Sequence, residues 1–151
     1  MGESSVNRGK WIVLFLTLSV LCGIAFWVVH SVINTVTVVV PNAYALEWAS
    51  VFVIEHMEAN ENRWPTSWAD LKDEFDRQVA SGHAPAPTWQ ELQSRVVIDW
   101  DVNVDSLVTA DPKKDPPFRA IWLSDGTNSH WEGSEPNRKV LEYLQSVSGT
   151  E

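Results

Sequence analysis

The chain has 151 residues, with 20 acidic side chains against 11 basic ones, nine tryptophans and a single cysteine. A formal charge of −9 repels phosphate backbones and argues against nucleic acid as a partner. One cysteine forms no internal disulfide, so any folded part must be held by its core, and the length suits one small domain beside an apolar segment.

Residues 1–10 are a short polar tail. Trp11 to Val29 (WIVLFLTLSVLCGIAFWVV) then runs without a charged residue or a proline. At helical rise this stretch covers about 28 Å, close to the ~30 Å hydrocarbon core of a bilayer. Only a helix satisfies its own backbone in lipid, so a membrane-spanning helix is expected over 11–29. Trp11 and Trp27 sit near its two ends, where amphipathic rings favour the interface. Arg8 and Lys10 precede the span, and no Lys or Arg follows until Arg63. The positive-inside bias therefore places residues 1–10 in the cytoplasm and the body of the chain outside it. Beyond Val29 that body carries nine basic against nineteen acidic residues, a charge of −10. The alternative is a cleaved secretory signal, with Ala43-Tyr44-Ala45 as a small-x-small cleavage site. The apolar run is longer than a signal core, and the site lies well downstream of it. Cys22 follows Leu21 where lipid attachment would want a small residue, so no lipid is expected there.

Residues 30–41 (HSVINTVTVVVP) form a connector, expected to stay helical up to Pro41. From residue 42 to 151 an extracytoplasmic α+β domain is expected. Its spine is a helix over 42–60, with Tyr44, Trp48, Val51 and Phe52 as the apolar stripe, broadened by Leu46, Val53, Ile54 and Met57. Arg63-Trp64-Pro65 makes a turn. A second helix opens with Ser67 as N-cap and Asp70 three residues on, and buries Trp68, Leu71, Phe75 and Val79. The segment 80–87 (ASGHAPAP) reads as a loop, and Thr88 with Glu91 as a capping box. Arg95 to Asp105 (RVVIDWDVNVD) alternates with period two and predicts a strand with one wet, acidic face paired in part with Arg119. Phe118 to Leu123 predicts a second strand and Ser129 to Glu132 a short third one, giving a two- to three-stranded antiparallel sheet. Glu135-Pro136 opens a last helix with Val140, Leu141, Leu144 and Val147 inward.

No residue set names a reaction, so a structural or interaction role is expected rather than an enzymatic one. Asp99, Asp101, Asn103 and Asp105 have the spacing of a calcium loop. Val104 and Ala110, however, stand where that loop needs a glycine and a bidentate glutamate. His30, His56, His83 and His130 form no helical pair for zinc, and no cofactor motif is present. Asp125-Gly126-Thr127-Asn128-Ser129-His130 reads as a polar turn rather than a nucleophile elbow. Tryptophan is the unusual count. Trp48, Trp68 and Trp100 fall on apolar faces, whereas Trp64, Trp89 and Trp131 sit at turns, where indole rings near acids suit stacking on a glycan. These three are the candidate ligand-binding residues.

The N-terminal apolar helix, the helix extending from it, and the turn Trp64-Pro65-x-Ser67-Trp68-x-Asp70-Leu71 before a small sheet resemble the layout of type IV pilin-like proteins and pseudopilins. The resemblance covers residues 11–75 and implies a globular head on a helical spine. The family's leader-peptidase motif is missing: Glu-Ser-Ser-Val follows Gly2, and Gly23 lies inside the span. The layout is also similar to that of uncharacterised single-pass bacterial envelope proteins, which implies a location and no function. Expected partners are the lipid bilayer and other envelope proteins. A glycan-binding or glycan-acting module and a pilin-like assembly subunit are the alternatives.

Overall fold

From Glu3 the backbone is helical as far as Ala59, in three stretches: α1 (Glu3–Asn34), a π-helical turn (Thr35–Val39) and α2 (Val40–Ala59). The computed structural model describes residues 3–82 and 87–149, with side chains from residue 9. Residues 1 and 2, the Arg8 side chain, His83 and the middle of the loop expected over 80–87 lie outside the described residues. The chain divides into two compact units, Met1–Val38 and Val39–Glu151.

In the first unit the apolar side chains of α1 are exposed on every face, from 46% at Val28 to 73% at Phe26. Among the described residues it supplies the one helix long and apolar enough to cross a membrane. Its length exceeds the run read from the sequence, because the polar tail and the His30–Asn34 stretch join it. Thr35 and Thr37 turn their hydroxyls back onto the carbonyl oxygens of Ser31 (2.9 Å) and Ile33 (2.8 Å). Pro41 has no N–H to give to the Thr37 carbonyl, and its ring would press on that group in a regular α-helix. The widened turn just before it accommodates both effects.

The second unit is mostly helical around a two-stranded antiparallel sheet, an arrangement compatible with the α+β class. Its elements after α2 are a 3-10 turn (Trp68–Leu71), α3 (Lys72–Ala80), α4 (Trp89–Arg95), β1 (Val96–Ile98), α5 (Val104–Val108), β2 (Ile121–Leu123) and α6 (Pro136–Ser148). β1 pairs with β2 in the register Val96↔Leu123, Val97↔Trp122, Ile98↔Ile121. α2 touches α3, α4, α6, both strands and the 3-10 turn, so it is the spine of this unit. The face it buries differs from the expected stripe: Ala45, Leu46, Ala49, Phe52, Val53 and Met57 are inside, Trp48 and Val51 are half-buried and Tyr44 is exposed. Small alanines let the neighbouring helix and sheet approach the backbone closely, and the larger rings are displaced to the margins.

One margin is a run of rings. Trp48 stacks on Phe52 (5.5 Å between centroids), Phe52 meets Phe75 (5.9 Å), Phe75 meets Trp89 (5.0 Å), and Trp68 lies 5.6 Å from both Trp89 and Trp100. Edge-to-face contacts of this kind add to area burial and knit α2, α3 and α4 together without a disulfide.

The long strand expected over 95–105 is reduced to Val96–Ile98. Asp99 Oδ1 accepts the Asp101 N–H (3.1 Å) and Asn103 Oδ1 accepts the Asp105 N–H (3.0 Å). Short polar side chains thus take over backbone groups that a strand would have paired, and Asn103 becomes the N-cap of α5. Arg119 does not pair with these acids but lies over the Trp122 ring at 4.9 Å. The third strand expected at 129–132 is absent. The outer edge of β2 is already occupied by the Asn137 side chain, which accepts the Ala120 and Ile121 N–H groups (2.9 and 2.8 Å) and donates to the Ile121 carbonyl (2.9 Å). Ser67 stands at the N-cap as expected, but what it opens is the 3-10 turn that precedes α3. Ser67 makes no capping bond, and Asp70 Oδ2 instead accepts the N–H (2.7 Å) and hydroxyl (2.8 Å) of Thr66. The Thr88–Glu91 capping box forms as expected.

Candidate functional site

Two buried asparagines organise the surface around the sheet. Asn42, in the first turn of α2, accepts a hydrogen bond from the Arg95 guanidinium (2.7 Å) and donates to Asp125 Oδ2 (3.1 Å). It therefore ties the end of α4 to the turn after β2. Asn137, in the first turn of α6, holds the β2 edge and donates to Glu135 Oε1 (2.7 Å), while Glu135 Oε2 accepts the Arg138 N–H (2.6 Å). Both asparagines are at least 97% buried.

A concavity of about 240 Å³ opens along the β2 edge, lined by Leu46, Arg119, Trp122, Thr127, Glu135 and Asn137 among others. A second, of about 230 Å³, is lined by Val40, Pro41, Tyr44, Pro87, Glu91 and Arg95. The first has a mixed polar and apolar lining and carries one guanidinium laid on an indole. Its carboxylate, Glu135, is already spent on the cap of α6, and the Thr127 hydroxyl donates to Asp125 Oδ1 (2.7 Å). His130 Nδ1 lies 3.0 Å from the Trp131 carbonyl oxygen, so the turn that carries it directs the ring at the backbone. Such an arrangement can hold a small polar group but presents no activated nucleophile. Among the described residues no group of three or more His, Cys, Asp or Glu side chains is placed to hold a metal ion.

No family model, curated protein or solved structure matches the chain. The pilin-like layout thus rests on the residues quoted for it alone.

The three candidate tryptophans lie apart in role. Trp64 is 8% exposed, belongs to the core and donates its indole N–H to the Asp99 carbonyl (2.8 Å). Trp89 is half-buried between Trp68 and Phe75, with the Lys72 ammonium 5.7 Å from its ring. Trp131 is 36% exposed and sets its edge against Tyr44, centroids 5.5 Å apart at 74°. Asn42 and Asn137 were not singled out from the sequence, although a signal exists. Asn137 falls on the same helical stripe as Val140, Leu141 and Leu144, and Asn42 on that of Ala45, Leu46 and Ala49. An amide in register with a core face marks a buried hydrogen-bonding duty.

Three carboxylates are held below their ordinary range. The Thr66 N–H and hydroxyl do this for Asp70, the Thr88 N–H and hydroxyl for Glu91, and the Thr127 hydroxyl and N–H, with Asn42, for Asp125. A carboxyl depressed in the folded state adds stability above its unfolded value and loses it as pH falls through the folded one. The urea midpoint, read by tryptophan fluorescence, is accordingly expected to be flat from neutrality to about pH 5 and to fall below it. Asp125→Asn is expected to lower the midpoint at pH 7 and to make its decline below pH 5 shallower. An unchanged slope would remove Asp125 from this account.

Proposed function

We propose that the protein is a single-pass membrane protein that displays an acidic, disulfide-free domain on the non-cytoplasmic side. Its role there is to present a surface to other envelope components, a structural or interaction role rather than a catalytic one. The observation that carries the reading is α1, whose apolar side chains are exposed on all faces with no part of its own unit covering them. Such an area far exceeds the few hundred Å² of apolar patch that a soluble monomer leaves in water, so lipid is its natural solvent. The flanking charges orient it. Arg8 and Lys10 stay in the cytoplasm, and the domain charge of −10 lies on the other side.

The position of Ala45 supports an anchor over a cleaved signal. Ala43 and Ala45 are buried in α2, and a chain starting at Leu46 would lack Asn42, with its bonds to Arg95 and Asp125. Membranes from cells expressing the full chain should retain it through carbonate and high salt and release it only into detergent. A C-terminal reporter should be active only outside the cytoplasm. Recovery of a soluble chain beginning at Leu46, or a reporter active in the cytoplasm, would overturn the anchor or its orientation respectively.

A further inference from the structure

Two hydrogen-bonding groups beside β2 are left over once the pairings of the second unit are assigned. The register turns Ala120, Trp122 and Ser124 toward β1. The Asp99 N–H meets the Ala120 carbonyl (2.9 Å) and the Ser124 N–H meets the Arg95 carbonyl (2.7 Å). The backbone groups of Ile121 and Leu123 therefore face the open edge. Asn137 takes both groups of Ile121, and the Gly126 N–H takes the Leu123 carbonyl (3.0 Å). The Leu123 N–H has no partner among the described residues, although Leu123 is only 1% exposed. A buried backbone N–H without an acceptor is rare in native proteins. Arg119 is the second case. Arg63, Arg77, Arg95 and Arg138 each set a guanidinium nitrogen 2.6 to 3.8 Å from an oxygen. The Arg119 guanidinium lies instead over the Trp122 ring, 4.9 Å from its centroid, with no acidic partner among the described residues. Arg119, Leu123, Thr127 and Asn128 all line the concavity of about 240 Å³.

We infer that this concavity binds a carboxylate group, with the Arg119 guanidinium as counter-charge and the Leu123 N–H as backbone donor. The site lies wholly within the second unit and does not depend on the membrane anchor. A guanidinium that rests on an indole keeps N–H groups to offer, and its planar fork matches the two oxygens of a carboxylate. Solvent alone gives Arg119 no counter-charge, whereas a carboxylate satisfies both leftover groups. The turn that closes the site is fixed in advance. Asp125 Oδ1 accepts the Thr127 N–H (2.8 Å), and Asn42 holds Asp125 Oδ2 (3.1 Å). A prearranged turn lowers the ordering cost of binding. Glu135 also lines the concavity, with its oxygens on the Asn137 amide and the Arg138 N–H. Its charge, in a domain already strongly acidic, disfavours a dianion, so a singly charged carboxylate is preferred to phosphate. The volume falls below the ~300–1,000 Å³ of sites that enclose drug-sized ligands. It therefore takes a small acid or the carboxyl end of a chain, which present the same group.

The test uses the full chain in zwitterionic detergent with isotope-labelled leucine, read through the Leu123 amide resonance. N-acetylglycine should move this resonance saturably, with a midpoint on the order of 1 mM. Arg119→Gln should weaken binding about tenfold or more, and Arg119→Lys, which keeps the charge and loses the fork, by about threefold. The other leucine amides, unmoved in these variants, report an intact fold. Lys113→Gln, outside the concavity, should leave the midpoint unchanged. The methyl ester of the probe should not bind, and inorganic phosphate should bind more weakly. A Leu123 amide that shows no saturable shift, or the same shift in Arg119→Gln, overturns the site. Equal or tighter binding of the ester or of phosphate overturns its selectivity for a carboxylate. A tetra-alanine peptide separates the two sources. Binding tighter than N-acetylglycine that is lost on amidation assigns the site to a chain end, and weaker binding assigns it to free small acids. Peptide binding that survives amidation overturns the proposal.

Discussion

Placing arginines at Val20 and Ile24 together is expected to strip the protein from membranes. Both positions lie near the middle of the apolar run, and their side chains are 61% and 54% exposed on α1. On the insertion scale an arginine at a helix centre costs about 2.5–3.5 kcal/mol, and the lost Val or Ile adds a few tenths more. The pair therefore removes on the order of 6–8 kcal/mol from the free energy of insertion. Standing one turn apart on the same face, the two guanidinium groups cannot both snorkel to one interface with ease. The carbonate-resistant fraction of the chain should fall to near zero, with the protein aggregated or degraded. The control exchange of the same positions to leucine should leave the fraction unchanged. Retention of the double arginine variant in the membrane pellet after carbonate would show that α1 is not what anchors the chain.

Changing Asn137 to aspartate should produce the largest loss of stability from a single near-isosteric substitution. The amide accepts two backbone N–H groups with its oxygen and donates to the Ile121 carbonyl and to Glu135 with its nitrogen, all at a site 2% exposed. Aspartate keeps the acceptor but sets an oxygen against the Ile121 carbonyl and against Glu135, placing two carboxylates in contact away from water. Leaving such a charge uncompensated costs about 3–5 kcal/mol, a large share of the 5–15 kcal/mol that holds a typical domain together. The urea midpoint of the full chain in detergent, followed through the domain tryptophans, should drop by roughly 1–3 M. Asn137→Leu should also be destabilising, because it orphans the Ala120 and Ile121 N–H groups at about 1–3 kcal/mol each. A loss below about 0.5 kcal/mol for the aspartate variant would mean that the β2 edge is held by something else.

These two experiments fall on opposite sides of what could be read from the residues. The apolar run, the Thr88–Glu91 cap and the stripe of Val140, Leu141 and Leu144 in α6 are encoded within a few residues of one another, and each came out as its spacing indicates. The period-two alternation of Arg95–Asp105 was a misleading local signal. From Asp99 on, every second residue is short and polar, and Asp99 and Asn103 use their side chains to turn the backbone instead of lining a strand. On α2, Leu46, Phe52, Val53 and Met57 are buried as the stripe indicates, whereas Tyr44, Trp48 and Val51, counted into it as apolar residues, lie at its margin or outside it. Close packing selects alanine where backbones must approach, and which side they approach from is not written in α2. Of the candidate site, the three turn tryptophans were visible as residues and invisible as environments. One is core, one is a strut among rings, and one stays at the surface.

By itself the order of residues determined that a bilayer-length apolar helix precedes an acidic body without disulfides. Both properties are sums over neighbouring side chains and need no knowledge of the fold. Only the tertiary structure decided that the sheet stops at two strands, that Asn42 and Asn137 bind it in place, and that Tyr44 meets Trp131 at the surface. Those outcomes depend on groups far apart in the chain competing for the same backbone edge or the same space. A hydrogen-bond donor in one segment has no assigned acceptor until another segment has been packed against it.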